Sequence, residues 1–368
     1  MARRFNVIYV HPEVAGHPRT RRIVEMARPA GVLELPPGAV SLESIGAESR
    51  AKSSLALLPY RGSRVEACPC SKAMRCCRYR VLQLVEGCPY DCAYCILQGY
   101  LNRPVTLVYP ELELAFEELE RDMAVPRGHA PRYGTGELGD SLALEELTGF
   151  VPELTAFFAG HPAAWQELKT KSARVEELLA VKSVPRNVVV SWSVNAREVC
   201  RQMERGAASL EARLKAASAV RDAGYRLGFH FDPLIRYPGW EEGYRETVER
   251  IYGFARPGDI AWISLGCLRY APWMAPHIEA RQAAAQFLAG ELFPLPPDGK
   301  YRYPQPMRIE MYRALHGWIR QFDPEVFVYL CLESETVWRW ALGVELDPED
   351  DLAIERLFPA PPGMAKRL

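Results

Sequence analysis

Seven of the ten cysteines lie between positions 68 and 95. Three of them, Cys88, Cys92 and Cys95, follow a Cys-x3-Cys-x2-Cys spacing. Three thiolates on one short loop can hold three irons of a four-iron cluster. The fourth iron then lacks a protein ligand and is open to a small molecule, as an open zinc site is to water. A zinc site would show two Cys-x2-Cys knuckles or a His, and this triplet has neither. Two rival readings stand beside it: zinc with Cys76 or Cys77 as fourth ligand, and three buried thiols with no ligand.

The triplet resembles that of the radical S-adenosylmethionine (SAM) superfamily. Tyr94, just before the third Cys, matches the aromatic residue usual there. The resemblance implies a four-iron, four-sulfur (4Fe–4S) cluster whose vacant iron takes the methionine nitrogen and carboxylate of SAM. It also implies reductive cleavage: one electron reaches the sulfonium, the C5′–S bond breaks and a 5′-deoxyadenosyl radical forms. The protein's share is to hold SAM and keep out water and oxygen. An electron donor such as a flavodoxin or ferredoxin is then a partner.

Four further segments could build a SAM pocket. Tyr133–Ser141 is glycine-rich, which lets backbone approach a ligand, and its Glu137 could accept the ammonium of methionine. This segment resembles the Gly-Gly-Glu stretch of radical SAM enzymes. Lys171 ends a strand and could pair with a carboxylate. Ser193 and Asn195 end the next strand and suit ribose hydroxyls. His230 and Asp232 end a fifth and could face adenine or substrate. The plain alternatives are a solvated Lys and a structural His.

Taken together, these segments resemble the spore photoproduct lyase family. The matching stretches are Cys88–Gln98, Lys169-Thr-Lys171, Ser191-Trp-Ser193-Val-Asn195, Asp222–Phe229, Pro306–Tyr312 and Val328–Trp338, so the likeness covers roughly residues 65–342. It implies a partial barrel of about six strand–helix units, the cluster, SAM, and chemistry related to reversal of a thymine dimer in DNA. By motif position Lys171 would bind the SAM carboxylate and Ser193 the ribose side. Two positions depart from the family. Its hydrogen-donor Cys has no counterpart in Gly136–Asp140, where Glu137 stands about where that thiol would be, and its Tyr after the third cluster Cys is Ile96. Cys331, Cys267 and Tyr94 remain as candidate hydrogen donors, each with a plain packing role as the alternative.

Upstream, Cys68, Cys70, Cys76 and Cys77 could form a second metal site, contact substrate or do redox chemistry, or be plain buried thiols. Around them stand Arg61, Arg64, Lys72, Arg75, Arg78 and Arg80, with Tyr60 and Tyr79 interleaved. Such a pattern can contact phosphates and stack bases. Residues 1–80 carry 14 Lys/Arg against 6 Asp/Glu, a net of +8, while the whole chain of 368 residues is at −1.

These residues need a frame to hold them. Strand patterns fall at Phe5–Val10, Tyr79–Val85, Pro131–Thr135, Trp165–Thr170, Asn187–Ser193, Leu227–Pro233 and Ile260–Leu265. Helical patterns fall at Leu112–Met123, Leu144–Phe158, Arg174–Val181, Leu210–Ala223 and Glu241–Phe254. A helix at Met307–Gln321, a strand at Val326–Leu332 and a short helix at Thr336–Leu342 follow. Strand–helix repetition predicts an α/β fold with a parallel sheet, a partial (β/α)6 TIM-like barrel with ligands at the C-terminal strand ends. The expected organisation is a basic, Pro/Gly-rich segment over 1–75, the barrel over 76–290 and a C-terminal extension over 291–368. No run approaches 18 apolar residues, so no membrane span is expected and a cytoplasmic location is inferred. The functional expectation is a radical SAM enzyme acting on DNA or a nucleotide base. The alternatives are a radical SAM enzyme acting on a peptide or small metabolite, and a zinc-stabilised nucleic-acid-binding protein without catalysis.

Overall fold

The computed structural model of the chain describes residues 5–35, 52–71, 74–100, 105–279, 291–296 and 298–362. Lys72 lies outside these residues. The chain opens with β1 (Val7–Val10), α1 (Pro18–Ala27), β2 (Gly31–Glu34) and β3 (Ser54–Leu57). It continues through β4 (Val65–Ala67), β5 (Arg80–Leu82), β6 (Val85–Glu86), β7 (Thr106–Val108) and α2 (Leu112–Met123). Then come β8 (Arg132–Gly134), α3 (Phe150–Ala159), β9 (Trp165–Thr170), β10 (Val188–Ser193), α4 (Leu210–Asp222), β11 (Arg226–Leu234), α5 (Trp240–Tyr252) and β12 (Ile260–Cys267). The last major elements are α6 (Gln305–Phe322), β13 (Val328–Leu330) and α7 (Glu335–Leu342).

The main sheet has eight strands in the order β13-β12-β11-β10-β9-β8-β5-β4, parallel from β5 to β13 and antiparallel only at the β4 edge. Six strands from β5 to β12 follow one another in chain order with helical crossovers, which makes the expected α/β partial (β/α)6 barrel. Every residue of β10 and β12 is buried, as in a parallel sheet covered on both faces. The connections are capped locally. Ser209 accepts the Ala212 N–H at the start of α4, and Gly224 (φ 100°) follows its end.

Two readings from the sequence change in detail. The helix expected over Leu144–Phe158 breaks at Gly149, which sits at φ 62°. The buried Glu145 carboxylate then accepts the N–H groups of Phe150 and Val151 and so starts α3. Arg174–Val181 keeps only one turn, Glu176–Leu179. A second sheet, ordered β2-β1-β3-β7-β6, was not expected beyond β1. Its strands have two to four residues each, too short for a period to show. Among the described residues no helix is long and apolar enough to cross a membrane.

Candidate active site

The cysteine loop leaves the barrel just after β5 and β6. Gly87 turns at φ 88°, and a Cβ there would stand 3.3 Å from the Thr106 backbone. The loop is pinned from several sides. Asp91–Cys92 pairs antiparallel with Glu204–Arg205, Ala93 N–H donates to the Met203 carbonyl at 2.7 Å, and the Gln98 amide reaches the Cys92 carbonyl. Lys52 Nζ donates to the Cys88 carbonyl at 2.6 Å.

Burial pushes all three thiols up, and each is within electrostatic reach of at least one of the other two. A bound cation reverses that preference, since a coordinating thiol is deprotonated. Among the described residues no three His, Cys, Asp or Glu side chains are gathered round one ion. A cubane of four irons holds its thiolates farther apart than a single ion does. Three soft sulfurs on one loop, Cys92 buried and Cys88 and Cys95 partly exposed, therefore fit the cluster by donor chemistry.

Beside this loop a carboxylate gathers much of the expected pocket. Glu204 has no exposed side-chain surface. It forms ion pairs with Arg213 Nη2 at 2.5 Å and Lys171 Nζ at 3.7 Å, and accepts hydrogen bonds from Asn195 Nδ2 at 3.3 Å and from the Tyr94 hydroxyl. Burial alone would raise its carboxyl, but Arg213 and Lys171 hold it at about 2. The Lys171 ammonium also sits 5.8 Å from the Tyr94 ring centre. Arg213 Nη1 donates to the Ser193 carbonyl at 3.0 Å, and the Tyr244 hydroxyl donates to Asn195 Oδ1 at 2.5 Å. Lys171, Ser193, Asn195 and Tyr94 are thus brought together with the cluster loop. The sequence reading missed both Glu204 and Arg213. Met203-Glu204-Arg205-Gly206 looks like any charged turn, and only the pairing with Cys92 reveals it.

Glu137 is not among the partners of Glu204. Its carboxylate pairs with Lys169 Nζ at 2.9 Å, and Lys169 faces the Tyr79 ring. Asp140 fixes the same loop by accepting the N–H groups of Leu142, Ala143 and Lys171 and the Thr170 hydroxyl. His230 belongs to a buried network inside the barrel. There Glu167 accepts from Ser191 at 2.6 Å and Trp262 at 2.8 Å, with His230 Nε2 at 2.8 Å and Arg132 Nη1 at 3.4 Å. Burial opposes charge on Glu167, yet Arg132 and His230 hold its carboxyl well below the usual range. Asp232 stays at the mouth, held by Arg269 at 3.4 Å. Cys331 accepts from Arg269 Nη2 at 3.4 Å, and Cys267 lies 3.9 Å from Met311 Sδ in the core.

Upstream, Cys70 and Cys76 form a disulfide and Cys68 and Cys77 are free thiols, so the four do not stand as one ligand set. Cys77 Sγ accepts from Arg132 Nη2 at 2.8 Å. The basic residues around them face acids within the chain. Arg61 meets Glu13 at 2.5 Å, Arg64 meets Glu111 at 3.3 Å, Arg75 meets Glu335 at 2.5 Å, Arg78 meets Asp351 at 3.2 Å, and Arg80 meets Asp122. Each of these five guanidiniums has an acidic partner within the chain.

A parallel half-barrel whose first strand leads into a Cys-x3-Cys-x2-Cys loop defines the radical SAM class. The model of the family "Spore photoproduct lyase" matches residues 71–258, just over half of the chain, and the chain belongs to that family. It is 31% identical over 171 residues to the spore photoproduct lyase of a Geobacillus species, covering 46% of this chain and 50% of that protein. It is 29% identical over 180 residues to that of Bacillus subtilis, covering 49% and 52%. The matched stretch thus spans about half the length of these relatives. A solved spore photoproduct lyase complexed with dinucleoside spore photoproduct superposes with a TM-score of 0.78 at 23% identity, covering 90% of this chain and 100% of that one. A doubly substituted variant with bound AdoMet and the same dinucleoside gives 0.77 at 24%, covering 89% and 98%. These structures share the fold.

Proposed function

We propose that the protein is a radical SAM enzyme that cleaves SAM reductively and acts on a photoproduct of DNA or a related nucleotide base. The observation that carries this reading is the three-thiol loop at the barrel mouth, paired through Cys92 with Glu204 of the Lys171–Glu204–Arg213 group. The chain's membership of the spore photoproduct lyase family supports it, as does the fold shared with lyases solved with AdoMet and a dinucleoside photoproduct.

Cys88, Cys92 and Cys95 would hold the 4Fe–4S cluster. When bound, the reduced cluster supplies one electron to the SAM sulfonium, whose C5′–S bond breaks. Lys171 is proposed for the SAM carboxylate and Glu137 for its ammonium, with Ser193 and Asn195 on the ribose side. Glu204 and Arg213 hold Lys171 and the Ser193 backbone in place, so the cation is set before SAM arrives. Tyr94 and Gln98 tie the loop to that frame. A low-potential flavodoxin or ferredoxin would supply the electron.

A second reading keeps this chemistry and makes the substrate a peptide or small metabolite. It rests on Glu137, tied to Lys169 at 2.9 Å where the family is expected to carry its thiol.

Anaerobic reconstitution tests the proposal. The holoprotein should be brown with about four irons per chain, and should release 5′-deoxyadenosine from SAM and dithionite. With dinucleoside spore photoproduct it should release the repaired dinucleoside, read by mass spectrometry. Cys92→Ala should abolish the colour and the 5′-deoxyadenosine together. A colourless protein carrying zinc would falsify the cluster reading. SAM cleavage without binding or turnover of the photoproduct would favour the second reading.

A further inference from the structure

The second sheet is separate from the barrel sheet, yet it runs into the cysteine loop. Its edge strand β6 passes through Gly87 directly to Cys88. β6 pairs antiparallel with β7, and β7 pairs parallel with β3. In that register Glu86 lies opposite Leu107 and Leu55 opposite Thr106. The start of β3 and the first cysteine of the loop therefore emerge at the same end of the sheet. Lys52 stands just before β3, and the chain is fixed there by the Asn6 N–H, which donates to the Ser53 carbonyl at 2.8 Å. From this base the Lys52 ammonium reaches the Cys88 carbonyl at 2.6 Å.

That contact brings a positive charge from outside the barrel onto the backbone of the first proposed ligand. The acceptor is a neutral carbonyl, so the bond itself does not cancel the charge. Burial raises the Cys88 and Cys95 thiols, Asp140 adds to this at Cys88, and Lys52 works against it at both. A four-iron cluster on three thiolates gains one negative charge when it is reduced. A cation close by stabilises the reduced form more than the oxidised one, and local charge is one of the levers that set such potentials.

We propose that Lys52 is a positioning residue that tunes the cluster: its hydrogen bond holds Cys88 in place, and its charge favours the reduced form and so eases electron entry. The inference rests on the radical reading above. Electron entry is a one-electron step in which the low-potential donor is oxidised and the bound cluster reduced. No bond in the protein forms or breaks, and Lys52 keeps its proton throughout.

The test is an anaerobic redox titration of the reconstituted holoprotein without SAM, read by the electron paramagnetic resonance signal of the reduced cluster. Lys52→Met removes the charge, Lys52→Gln removes it but keeps an N–H donor, and Lys52→Arg keeps both. At a fixed potential the ratio of reduced to oxidised cluster should fall about tenfold in the Met and Gln variants, a shift of about 59 mV to lower potential, and stay within about twofold of wild type in the Arg variant. With limiting reductant, 5′-deoxyadenosine formation should fall in step. If Lys52→Met takes up less iron than wild type, Lys52→Gln carries the comparison. An unmoved potential in the neutral variants overturns the proposal. So does an equal shift in Lys52→Arg, which would assign the effect to side-chain shape, and so does iron lost from all three variants, which would leave Lys52 a structural staple alone. Wild-type protein that binds no iron removes the radical reading and this inference with it, whereas a normal cluster with an unmoved potential removes only the role of Lys52.

Discussion

At the scale of single residues, the candidate site depends on a carboxylate with no exposed surface. Glu204 is compensated by Arg213 and Lys171, so loss of its charge strands a buried guanidinium. Removing one partner of a buried pair costs about 3 kcal/mol or more, chiefly because the other charge is left alone. Glu204→Gln keeps the shape and the Tyr94 contact but not the charge. It should lower the unfolding free energy by ~3 kcal/mol and weaken SAM binding at least ~10-fold through a misplaced Lys171. Lys171→Met should weaken SAM binding similarly with a smaller stability loss, because the Glu204–Arg213 pair survives. Denaturant melts and SAM titration of the reconstituted protein measure the two quantities. Equal stability losses in both variants would mean that Glu204 does not organise this cluster.

At the scale of elements, titration of α6 should be visible in the stability of the whole chain. His316 is partly buried and accepts the Arg320 Nε–H at 3.0 Å through Nε2, one helical turn away. Burial, with Arg320 beside it, lowers its pKa to about 4 from an ordinary 6.5. The unfolded chain therefore binds a proton first as pH falls. The stability that the neutral ring contributes is complete above 6.5 and lost as pH drops through 4. With partial exposure discounted, the loss is about 2 kcal/mol. His316→Gln should flatten the decline between pH 6.5 and 4 in urea melts, and an unchanged slope rejects the assignment. Elements of this length were legible in the sequence. The apolar runs of β10 and β12 and the 3.6-residue period of α2 and α4 show because burial imposes them over six or more residues. The second sheet was not legible, since strands of two to four residues separated by Pro and Gly carry no period. The site divides the same way. The cysteine loop shows because its chemistry lies in local spacing. Glu204 does not, because its role arises from pairing with Cys92, 112 residues earlier in the chain. The pairing of Arg75 and Arg78 was hidden for the same reason, as their acids lie more than 250 residues downstream.

At the scale of the whole molecule, a half-barrel has two free edges, β4 and β13, and must keep solvent from entering between them. The connection from β4 to β5 spans this gap. Arg75 N–H donates to the Glu333 carbonyl at 2.9 Å as a bridge to the chain just after β13. The Arg75 guanidinium reaches Glu335 at 2.5 Å and the Pro348 carbonyl at 2.5 Å, while Arg78 holds Asp351 at 3.2 Å. The Cys70–Cys76 disulfide closes a short ring around Arg75. On the inner side the buried Glu333 carboxylate takes Arg308 Nε and the Tyr312 hydroxyl, both at 2.8 Å, and the Tyr312 oxygen accepts the Cys267 N–H at 2.7 Å. The clasp is thus joined to β12, but residues 74–79 and 345–352 bury few apolar side chains, chiefly Tyr79 and Leu346, so it should open locally before the barrel unfolds. Arg75→Ala removes the guanidinium contacts and leaves the bridge. Hydrogen exchange should then speed up at least ~10-fold, about 1.4 kcal/mol of local opening, over residues 74–79 and 345–352. Amides of β9 to β12 should keep wild-type protection. A barrel that exchanges faster throughout would show that Arg75 supports global stability rather than closing a seam. Unchanged exchange at 345–352 would show that the backbone bridge alone holds the edges together.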